Sequence, residues 1–366
     1  MNQTILLGIE TSCDETAAAV AVDGGAGPAS WEIRSSVIAS QVDIHREWGG
    51  VVPELASRQH LRDICGVVER ALADAEVDWS RPDAIAVTQG PGLVGSLLVG
   101  VAFAKALAVA LERPLVPVHH LAGHIESLFL CHPELPLPSI VLVVSGGHTS
   151  LYHLPAPGTY HLVGRTRDDA AGEAFDKVAK LLGLAYPGGP IIDRLAREGN
   201  ERAIRFPVAR ITHADRTKAP TMVTLPGLPR RAAGGMDFSF SGLKTAVARH
   251  LQRRRIGGQA PPTDGELADI CASFQRAVID ALLERAFEAV RRFGACSLGV
   301  AGGVSANSRL RVLATTEGSA CGVPVFFPTL HLSTDNAAMI AAAGLRRFRA
   351  GGVASLDLNA QATLQL

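Results

Sequence analysis

The feature that most constrains this chain is a strand–turn–strand pattern that occurs twice. Apolar runs at Ile5–Glu10 and Ala17–Val22 are joined by a small polar turn, and runs at Ser139–Val144 and His148–Leu154 repeat that order. Short apolar runs bounded by small polar residues are typical of buried strands. Segments with helical spacing alternate with further short strands, which indicates an α/β fold. Two halves that each open with such a hairpin predict a duplicated fold with a cleft between two lobes.

The chain has 366 residues, which is room for roughly two domains. Pro133, Pro136 and Pro138 interrupt it just before the second pattern and mark a boundary. We therefore predict an N-terminal lobe over 1–135 and a C-terminal lobe over 136–334. A C-terminal helix over 335–366 is predicted to pack back on the first lobe.

The charge balance narrows the classes of binding partner. Lys plus Arg and Asp plus Glu both number 35, so the chain has no overall charge that attracts nucleic acid or a membrane. The exception is the stretch 201–255, where twelve Lys and Arg stand against three Asp and Glu, a local charge of +9. This stretch predicts a basic insertion near 205–255 in the C-terminal lobe, with a merely solvated basic loop as the alternative.

Cysteines and apolar segments bear on the compartment. The six cysteines are scattered without a C-x-x-C pair, which predicts reduced thiols as in a cytosol. No basic segment followed by an apolar run opens the chain, so no signal peptide is expected. The most apolar stretch, Leu93–Leu111, contains Lys105 and follows Pro91, which favours a buried helix over a membrane span. We expect a cytoplasmic protein that contacts no membrane.

The run His119–His124 indicates metal chemistry. His120 and His124 are four residues apart, so on a helix they share one face and can chelate one ion. A zinc protease would need Glu directly after the first His as its base, and Leu121 stands there. Asp335 is a candidate third ligand, with a helix N-cap as the alternative interpretation. Two histidines and one carboxylate suit iron or zinc with open coordination positions.

Small-residue turns follow three predicted strands, at 11–16, 145–149 and 302–307. Such turns let backbone N–H groups approach phosphate oxygens, which favours a nucleotide site. There is no Walker A lysine pattern, and no G-x-G-x-x-G follows the first strand. Further along, Asp169, Glu173 and Asp176 share one helical face. They either bind hydroxyl groups of a ligand or simply favour the helix dipole.

These motifs together resemble the TsaD (also called Gcp) family of tRNA N6-adenosine threonylcarbamoyltransferases, in order along nearly the whole chain. The matching segments are 8–16, 119–124, 144–149, 168–177, 186–190, 238–245, 302–307 and 334–336. The resemblance implies a two-lobed actin/Hsp70-like (ASKHA) fold. It implies transfer of the threonylcarbamoyl group from threonylcarbamoyl-AMP to N6 of adenosine 37 in tRNAs that read ANN codons, which forms t6A. It also implies a TsaB-like paralogue and a TsaE-like ATPase as partners, and a separate TsaC-type synthase as the source of the adenylate.

The resemblance also implies roles for individual residues. One divalent metal ion, Fe(II) by preference and Zn as the alternative, is expected on His120, His124 and Asp335. Asp14 and Glu15 are the candidates to take the proton lost from N6. The implied substrate and nucleotide contacts are Val143, Val144, Ser145, Gly146, Gly147, Asp176, Gly189, Asp193 and Asn307. The basic stretch near 205–255 is then the candidate tRNA-contact region.

Other functions stay open from the residues alone. A sugar or acetate kinase of the same fold would transfer a phosphoryl group from ATP, but it gives no reason for a His/His/Asp cluster. A nucleotide-binding scaffold without transfer chemistry is the non-enzyme alternative, and His120 and His124 argue against it. An endopeptidase, which is an older label for the family, fails on Leu121.

Overall fold

The structure is a computed structural model that describes residues 3–25, 31–207 and 236–366. It divides into two compact units. Unit 1 comprises Met1–Leu135 and Pro328–Leu366, and unit 2 comprises Pro136–Phe327. The chain therefore leaves unit 1, builds all of unit 2 and then returns to unit 1.

Strands and helices alternate along both units. The first pass through unit 1 contains β1 Thr4–Glu10, β2 Glu15–Asp23, β3 Trp31–Ser40, α1 Val42–Arg46, α2 Pro53–Asp74, β4 Ala84–Gly90, α3 Val94–Leu111, β5 Leu115–His119 and α4 His120–Cys131. Unit 2 contains β6 Ser139–Val144, β7 Thr149–Leu154, β8 His161–Arg165, α5 Ala171–Leu181, α6 Gly188–Ala196, α7 Ser241–Ile256, α8 Asp264–Phe293, β9 Ser297–Ala301, α9 Ser308–Cys321 and β10 Val325–Phe326. The return to unit 1 adds α10 Leu330–Ser333 and α11 Ala337–Arg349.

The two sheets have the same topology in the described part of the chain. The strand order is β3-β2-β1-β4-β5 in unit 1 and β8-β7-β6-β9-β10 in unit 2. In each sheet the first three strands are antiparallel, the fourth runs parallel to the first, and the fifth runs parallel to the fourth. The predicted duplication of strand–turn–strand halves is therefore confirmed.

Helices cover both faces of the unit 1 sheet. Successive side chains of a strand point to opposite faces, so Leu7 packs in one core with Val101 of α3, and Leu6 packs in another with Ile340 of α11. Strand β1 is therefore buried on both faces, which is why its sequence is a continuous apolar run.

Helix α11 lies unusually close to β1. A Cβ placed on Gly8 would lie 2.7 Å from the backbone nitrogen of Ala341 and 2.9 Å from the carbonyl oxygen of Ala337. Glycine is the residue that permits so close an approach of two backbones. The contact holds the first turn of α11, and with it the residues just before that helix, near the end of β1.

The structure differs from the predicted elements in several places. Strands β3 and β8 and helix α7 were not predicted, because β3 and β8 are half-exposed strands that carry polar residues and α7 lies in the stretch interpreted as a basic loop. The C-terminal helix is shorter than predicted: α11 ends at Arg349, and Gly351 and Gly352 follow. Gly351 has a φ of 76°, a conformation that ends helices.

Helix α3 covers the stretch that was predicted to be a buried helix. Its side chains Leu97 and Val101 are buried, whereas Val94 and Leu98 are 55% and 48% exposed, so the helix is half-buried. By length and composition alone, α3 is the one helix in the described ranges that is apolar enough to cross a bilayer. Its buried face packs in the same core as Leu7, as the core helices of folded domains do.

Two further predictions concern particular residues. All six cysteines are free, as predicted. Residues 208–235, which hold five of the twelve basic residues in the stretch 201–255, lie outside the described residues.

One carboxylate ties the start of α7 to the rest of unit 2. Asp168 Oδ1 accepts hydrogen bonds from the N–H groups of Phe240 (2.8 Å) and Ser241 (3.3 Å), and Oδ2 accepts from the hydroxyls of Ser239 (2.5 Å) and Ser241 (2.7 Å). Burial raises the pKa of Asp168, but these hydrogen bonds outweigh burial and lower that pKa below its ordinary value. The folded protein therefore stabilises the ionised form of Asp168.

Replacing Asp168 with alanine is expected to destabilise the protein by about 1 kcal/mol at pH 7, because α7 loses its capping carboxylate. Since the pKa is lower in the folded protein than in the unfolded chain, the contribution is present at neutral pH and is lost as the pH falls below about 4. Urea unfolding of the wild type and the variant at pH 7 and pH 3 measures this, and the difference should shrink at pH 3. Asp264→Ala, at an exposed position of α8 where Thr263 is the cap, is the control. An equal difference at both pH values would contradict this role of Asp168.

Candidate metal centre

Helix α4 places two histidines side by side. Strand β5 ends at His119, whose Nδ1 accepts a hydrogen bond from the Leu121 N–H at 3.1 Å and so caps the helix. Burial lowers the pKa of His119 to about 4, which keeps that ring neutral. One turn apart, His120 and His124 project from a single face of α4, with ring centroids 4.7 Å apart, and both are buried. The predicted shared helical face is confirmed.

The third member of the cluster comes from the return segment of unit 1. Asp335 Oδ1 lies 3.1 Å from Nε2 of His124 and 3.6 Å from Nε2 of His120. One ligand atom of each of the three lies within 4.8 Å of the others. The alternative interpretation of Asp335 as a helix cap is wrong, because Asn336 caps α11 and accepts a hydrogen bond from the Met339 N–H at 2.9 Å.

His124 provides a test of whether a metal ion fits this cluster. Both of its ring nitrogens are buried, and neither has a hydrogen-bond partner among the described residues. Its Nε2 is near Asp335 Oδ1, but not in the geometry of a hydrogen bond. A buried polar atom without a partner costs about 1–3 kcal/mol. A divalent ion on Nε2 would remove that cost, and two imidazoles with one carboxylate are ligands of iron and zinc. The residues present therefore fit such an ion.

Two carboxylates set the electrostatics of the cluster. Burial lowers the pKa of His120, but the negative charges of Asp335 and Glu10 outweigh burial and raise that pKa to about 9. Metal ions bind the neutral imidazole, so an ion that enters the cluster must displace this proton. The site therefore favours positive charge, whether that charge is a proton or a metal ion.

Sequence reasoning missed Glu10, the last residue of β1. Its carboxylate is fully buried. Oε1 accepts a hydrogen bond from the Ser12 N–H at 2.5 Å, and Oε2 accepts one from the Thr88 hydroxyl at 2.6 Å and lies 3.1 Å from Nδ1 of His120. The available signal was a charged residue at the end of an otherwise apolar strand, since glutamate is almost never fully buried without partners.

The predicted proton acceptors lie at the turn between β1 and β2. Burial raises the pKa of Glu15 well above its ordinary value, and the charges of Asp14 and Asp335 raise it further. The turn is tied to helix α2, because Nε2 of His60 in that helix donates a hydrogen bond to the Cys13 carbonyl at 3.0 Å. The fold of unit 1 therefore brings Glu15 within electrostatic reach of Asp335, the third metal-ligand candidate.

The predicted substrate-binding turn follows β6 in unit 2. Val143 and Val144 are fully buried, and Ser145 is buried at the end of the strand. Gly146 and Gly147 are exposed, and apart from each glycine and its chain neighbours no atom of the described residues lies within 4 Å of where a Cβ would stand. The backbone of this turn is therefore open to a ligand, while the valines contribute to the core.

Helix α6 connects the next three predicted contacts. Asp176 Oδ1 accepts a hydrogen bond from the Gly188 N–H at 2.7 Å, at the start of the helix that also carries Gly189 and Asp193. Asp193 accepts hydrogen bonds from the N–H and hydroxyl of Ser308 at 3.2 and 2.9 Å. These hydrogen bonds fix the orientation of both carboxylates within unit 2.

Asn307 lies directly before Ser308 and caps α9. Its Oδ1 accepts a hydrogen bond from the Leu310 N–H at 2.9 Å, and its amide donates to Gln275 at 2.8 Å. Asn307 and Asp193 are thus brought together through Ser308.

The predicted helical face shared by Asp169, Glu173 and Asp176 is wrong in part, because α5 begins at Ala171 and Asp169 precedes it. Lys177 Nζ lies 2.6 Å from Asp169 and 2.9 Å from Glu173. These two acids form an ion cluster with Lys177, whereas Asp176 points to α6.

Comparison with known proteins identifies the family. A sequence profile described as TsaD, tRNA N6-adenosine threonylcarbamoyltransferase, matches residues 32–342. A tRNA N6-adenosine threonylcarbamoyltransferase of Anaeromyxobacter sp. (strain Fw109-5) is 52% identical over 99% of each chain. One of Moorella thermoacetica is 50% identical over 100% of this chain and 98% of its own.

Among solved structures, full-length HypF in the phosphate- and nucleotide-bound form is similar with a TM-score of 0.56 at 13% identity, over 95% of this chain and 55% of that one. At this identity the likeness carries information on the fold alone, and it confirms the predicted actin/Hsp70-like class. The profile match and the two relatives each span most of the sequence. They show that the chain belongs to the TsaD family of tRNA N6-adenosine threonylcarbamoyltransferases.

Proposed function

We propose that the chain transfers the threonylcarbamoyl group from threonylcarbamoyl-AMP to N6 of adenosine 37 in tRNAs that read ANN codons, and so forms t6A. Family membership supports the reaction. The observation that carries the proposal is the buried set His120, His124 and Asp335, with an imidazole that has no hydrogen-bond partner in the described ranges. A kinase of the same fold class gives no reason for this set.

His120, His124 and Asp335 would hold one divalent metal ion, Fe(II) by preference and Zn(II) as the alternative. The chemistry that such an ion supplies when bound is Lewis acidity toward an oxygen of the donor. Asp335 and the neighbouring Glu10 contribute the negative charge that compensates the ion, which supports a divalent rather than a monovalent cation.

The reaction requires that the chain position the two substrates and accept one proton, and it requires no nucleophile from the protein. The N6 nitrogen of adenosine 37 bonds to the carbamoyl carbon, the bond from that carbon to the phosphate oxygen breaks, and AMP leaves. One proton is lost from N6. The donor is already activated as a mixed anhydride, so the chain must hold the two substrates in line and accept this proton.

Glu15 is the stronger of the two proposed proton acceptors. A carboxylate with a raised pKa is a better base near neutral pH than an ordinary one, and burial together with Asp14 and Asp335 raises the pKa of Glu15. Asp14, next to it on the turn, is the alternative acceptor.

The donor nucleotide is proposed to bind to unit 2. The exposed backbone N–H groups of Gly146 and Gly147 are suited to the phosphate of AMP. The further proposed substrate and nucleotide contacts are Val143, Val144, Ser145, Asp176, Gly189, Asp193 and Asn307. The hydrogen bonds of Asp176, Asp193 and Asn307 within unit 2 support a preformed wall for the nucleotide.

The proposed tRNA surface is the exposed face of α7. Lys244, Arg249, Arg253 and Arg255 are exposed on this helix, which contains no Asp or Glu. Within the described ranges, none of the four forms an ion pair. Such a surface is suited to phosphates, which position RNA without reading its sequence.

Protein partners are proposed from the family, as a TsaB-like paralogue and a TsaE-like ATPase in the cytoplasm. Unit 1 presents apolar side chains of the kind that partners cover, with Leu61 65%, Val94 55% and Leu98 48% exposed. These residues support a protein contact on the α2–α3 face.

Removing one histidine should strongly weaken metal binding. His124→Ala is expected to weaken Zn(II) affinity by more than about 100-fold, which exceeds the loss typical of a supporting residue. Titration of the apoprotein against a competing chelator measures this. His331→Ala removes an exposed histidine close to Asp335 in sequence and should leave the affinity unchanged. Equal affinities for the two variants would contradict the proposed centre.

The proposed reaction is tested by reconstitution. The chain, its partners, the synthase, threonine, bicarbonate, ATP and unmodified tRNA are expected to yield t6A, detected by mass spectrometry of digested tRNA. His120→Ala combined with His124→Ala should abolish the product. With purified threonylcarbamoyl-AMP, Asp14→Ala combined with Glu15→Ala should slow single-turnover transfer about 100-fold or more, as loss of a general base does. Consumption of ATP on a small molecule without t6A would favour a kinase.

Neutralising the α7 surface should weaken tRNA binding in a salt-dependent way. Arg249→Gln with Arg253→Gln removes two cations, so the slope of log K against log salt should fall by about 1.5–2. Arg58→Gln with Arg62→Gln, a pair with the same spacing on the exposed side of α2, is the matched control. Fluorescence titration with tRNA at several salt concentrations measures both variants. An unchanged slope for the α7 pair would remove this helix from the tRNA surface.

A further inference from the structure

We infer that Glu10 is the positioning residue of the metal centre: its buried carboxylate holds the Nδ1–H of His120, so that Nε2 faces His124 and Asp335. This inference rests on the metal binding proposed above. Neither the spacing of the histidines nor the cluster of three candidate ligands identifies Glu10.

Three donors converge on the Glu10 carboxylate. They are the Ser12 N–H on Oε1, and the Thr88 hydroxyl and His120 Nδ1 on Oε2. An ionised carboxylate can only accept hydrogen bonds. The nitrogen of His120 that faces it must therefore carry a proton.

The other neighbour of that nitrogen does not fix its state. Ser12 Oγ lies 3.1 Å from Nδ1 of His120, and a hydroxyl can donate or accept. Glu10 is thus the group that selects the Nδ1–H tautomer. In the neutral ring, the lone pair is then on Nε2, the nitrogen that lies 3.6 Å from Asp335.

The sheet of unit 1 explains why this carboxylate is so well placed. Strands β1, β4 and β5 are parallel neighbours, and Ile9 is in register with Val87. The next residues, Glu10 and Thr88, therefore lie side by side where the strands end, and His120 follows β5 at the same edge. A carboxylate that orients a ligating histidine through its second nitrogen also raises the affinity of that ligand for a metal.

His124 provides an internal contrast. Its Nδ1 has no hydrogen-bond partner among the described residues, so no carboxylate orients this ring. The effect of Glu10 is consequently expected to pass through His120 and not through His124.

The test is Glu10→Gln, measured as Zn(II) affinity of the full chain against a competing chelator. The amide has one oxygen and one NH₂ group, so it cannot accept from donors on both sides. Affinity should fall by about 10–100-fold, as it does when a supporting carboxylate is lost. Glu126→Gln is the matched control, since Glu126 is an equally buried glutamate of α4 whose carboxylate binds Arg346 at 2.7 Å. It should bind Zn(II) like the wild type.

A double-mutant cycle separates positioning from general loss of structure. In a His120→Ala background, Glu10→Gln should cause no further loss of affinity, whereas in a His124→Ala background it should cause the full loss. In the Zn-loaded wild type, the Nδ1 proton of His120 should exchange slowly in ¹⁵N-histidine NMR spectra, and in Glu10→Gln it should exchange fast. A loss that persists without His120 would overturn the inference.

The outcomes also distinguish this inference from the proposed function. If the wild type does not bind Zn(II), the metal centre itself fails. If the wild type binds Zn(II) more tightly than His120→Ala does, but Glu10→Gln binds like the wild type, the metal centre stands and the positioning role of Glu10 is overturned.

Discussion

The backbone contact between β1 and α11 is the constraint on which the centre depends. Gly8 lets Ala337 and Ala341 approach the strand more closely than any side chain would allow. Because α11 is held there, Asp335, just before it, lies near the carboxyl end of β1 and within reach of the histidines of α4. A larger residue at position 8 would displace the helix and with it the third ligand. The packing of β1 against α11 thus sets the position of Asp335, although Gly8 and the two alanines take no part in the chemistry proposed for the site.

The second organising principle is charge balance in a buried space. Unit 1 buries Glu10 completely and places Glu10 and Asp335 near the two ring nitrogens of His120, and two such carboxylates are costly without a compensating cation. A proton on His120, whose pKa rises to about 9, offsets part of this cost. A divalent ion would offset more of it, and it would also satisfy the ring of His124. The negative charge that is costly without a cation would therefore also favour binding of the proposed ion.

The spacing of residues along the sequence predicted part of this site, whereas contacts between distant segments of the chain determined its other residues. His120 and His124 were predicted because four residues correspond to one helical turn. The sequence could not decide whether Asp335 is a metal ligand or a helix cap, since no spacing relates it to α4. The structure decides against the cap, because Asn336 caps α11. Glu10 was missed because its partners Thr88 and His120 come from β4 and from the start of α4, directly after β5, and sheet order alone brings these together. The strands of the two hairpins were predicted from their apolar runs, whereas β3 has polar residues at alternate positions and α7 has the composition of a loop. The predicted cleft between lobes stays a prediction.

The discontinuity of unit 1 has a consequence for biosynthesis. Its sheet is encoded before Pro136–Phe327, but the helix that covers one face of that sheet is encoded after it. At ordinary elongation rates, about 10–40 s of translation separate the two segments. During that interval Leu6, Ala86 and their neighbours have no α11 to pack against, so the nascent sheet exposes apolar surface. The three proposed metal ligands come together only after this last segment has docked, so the proposed ion would bind after that step.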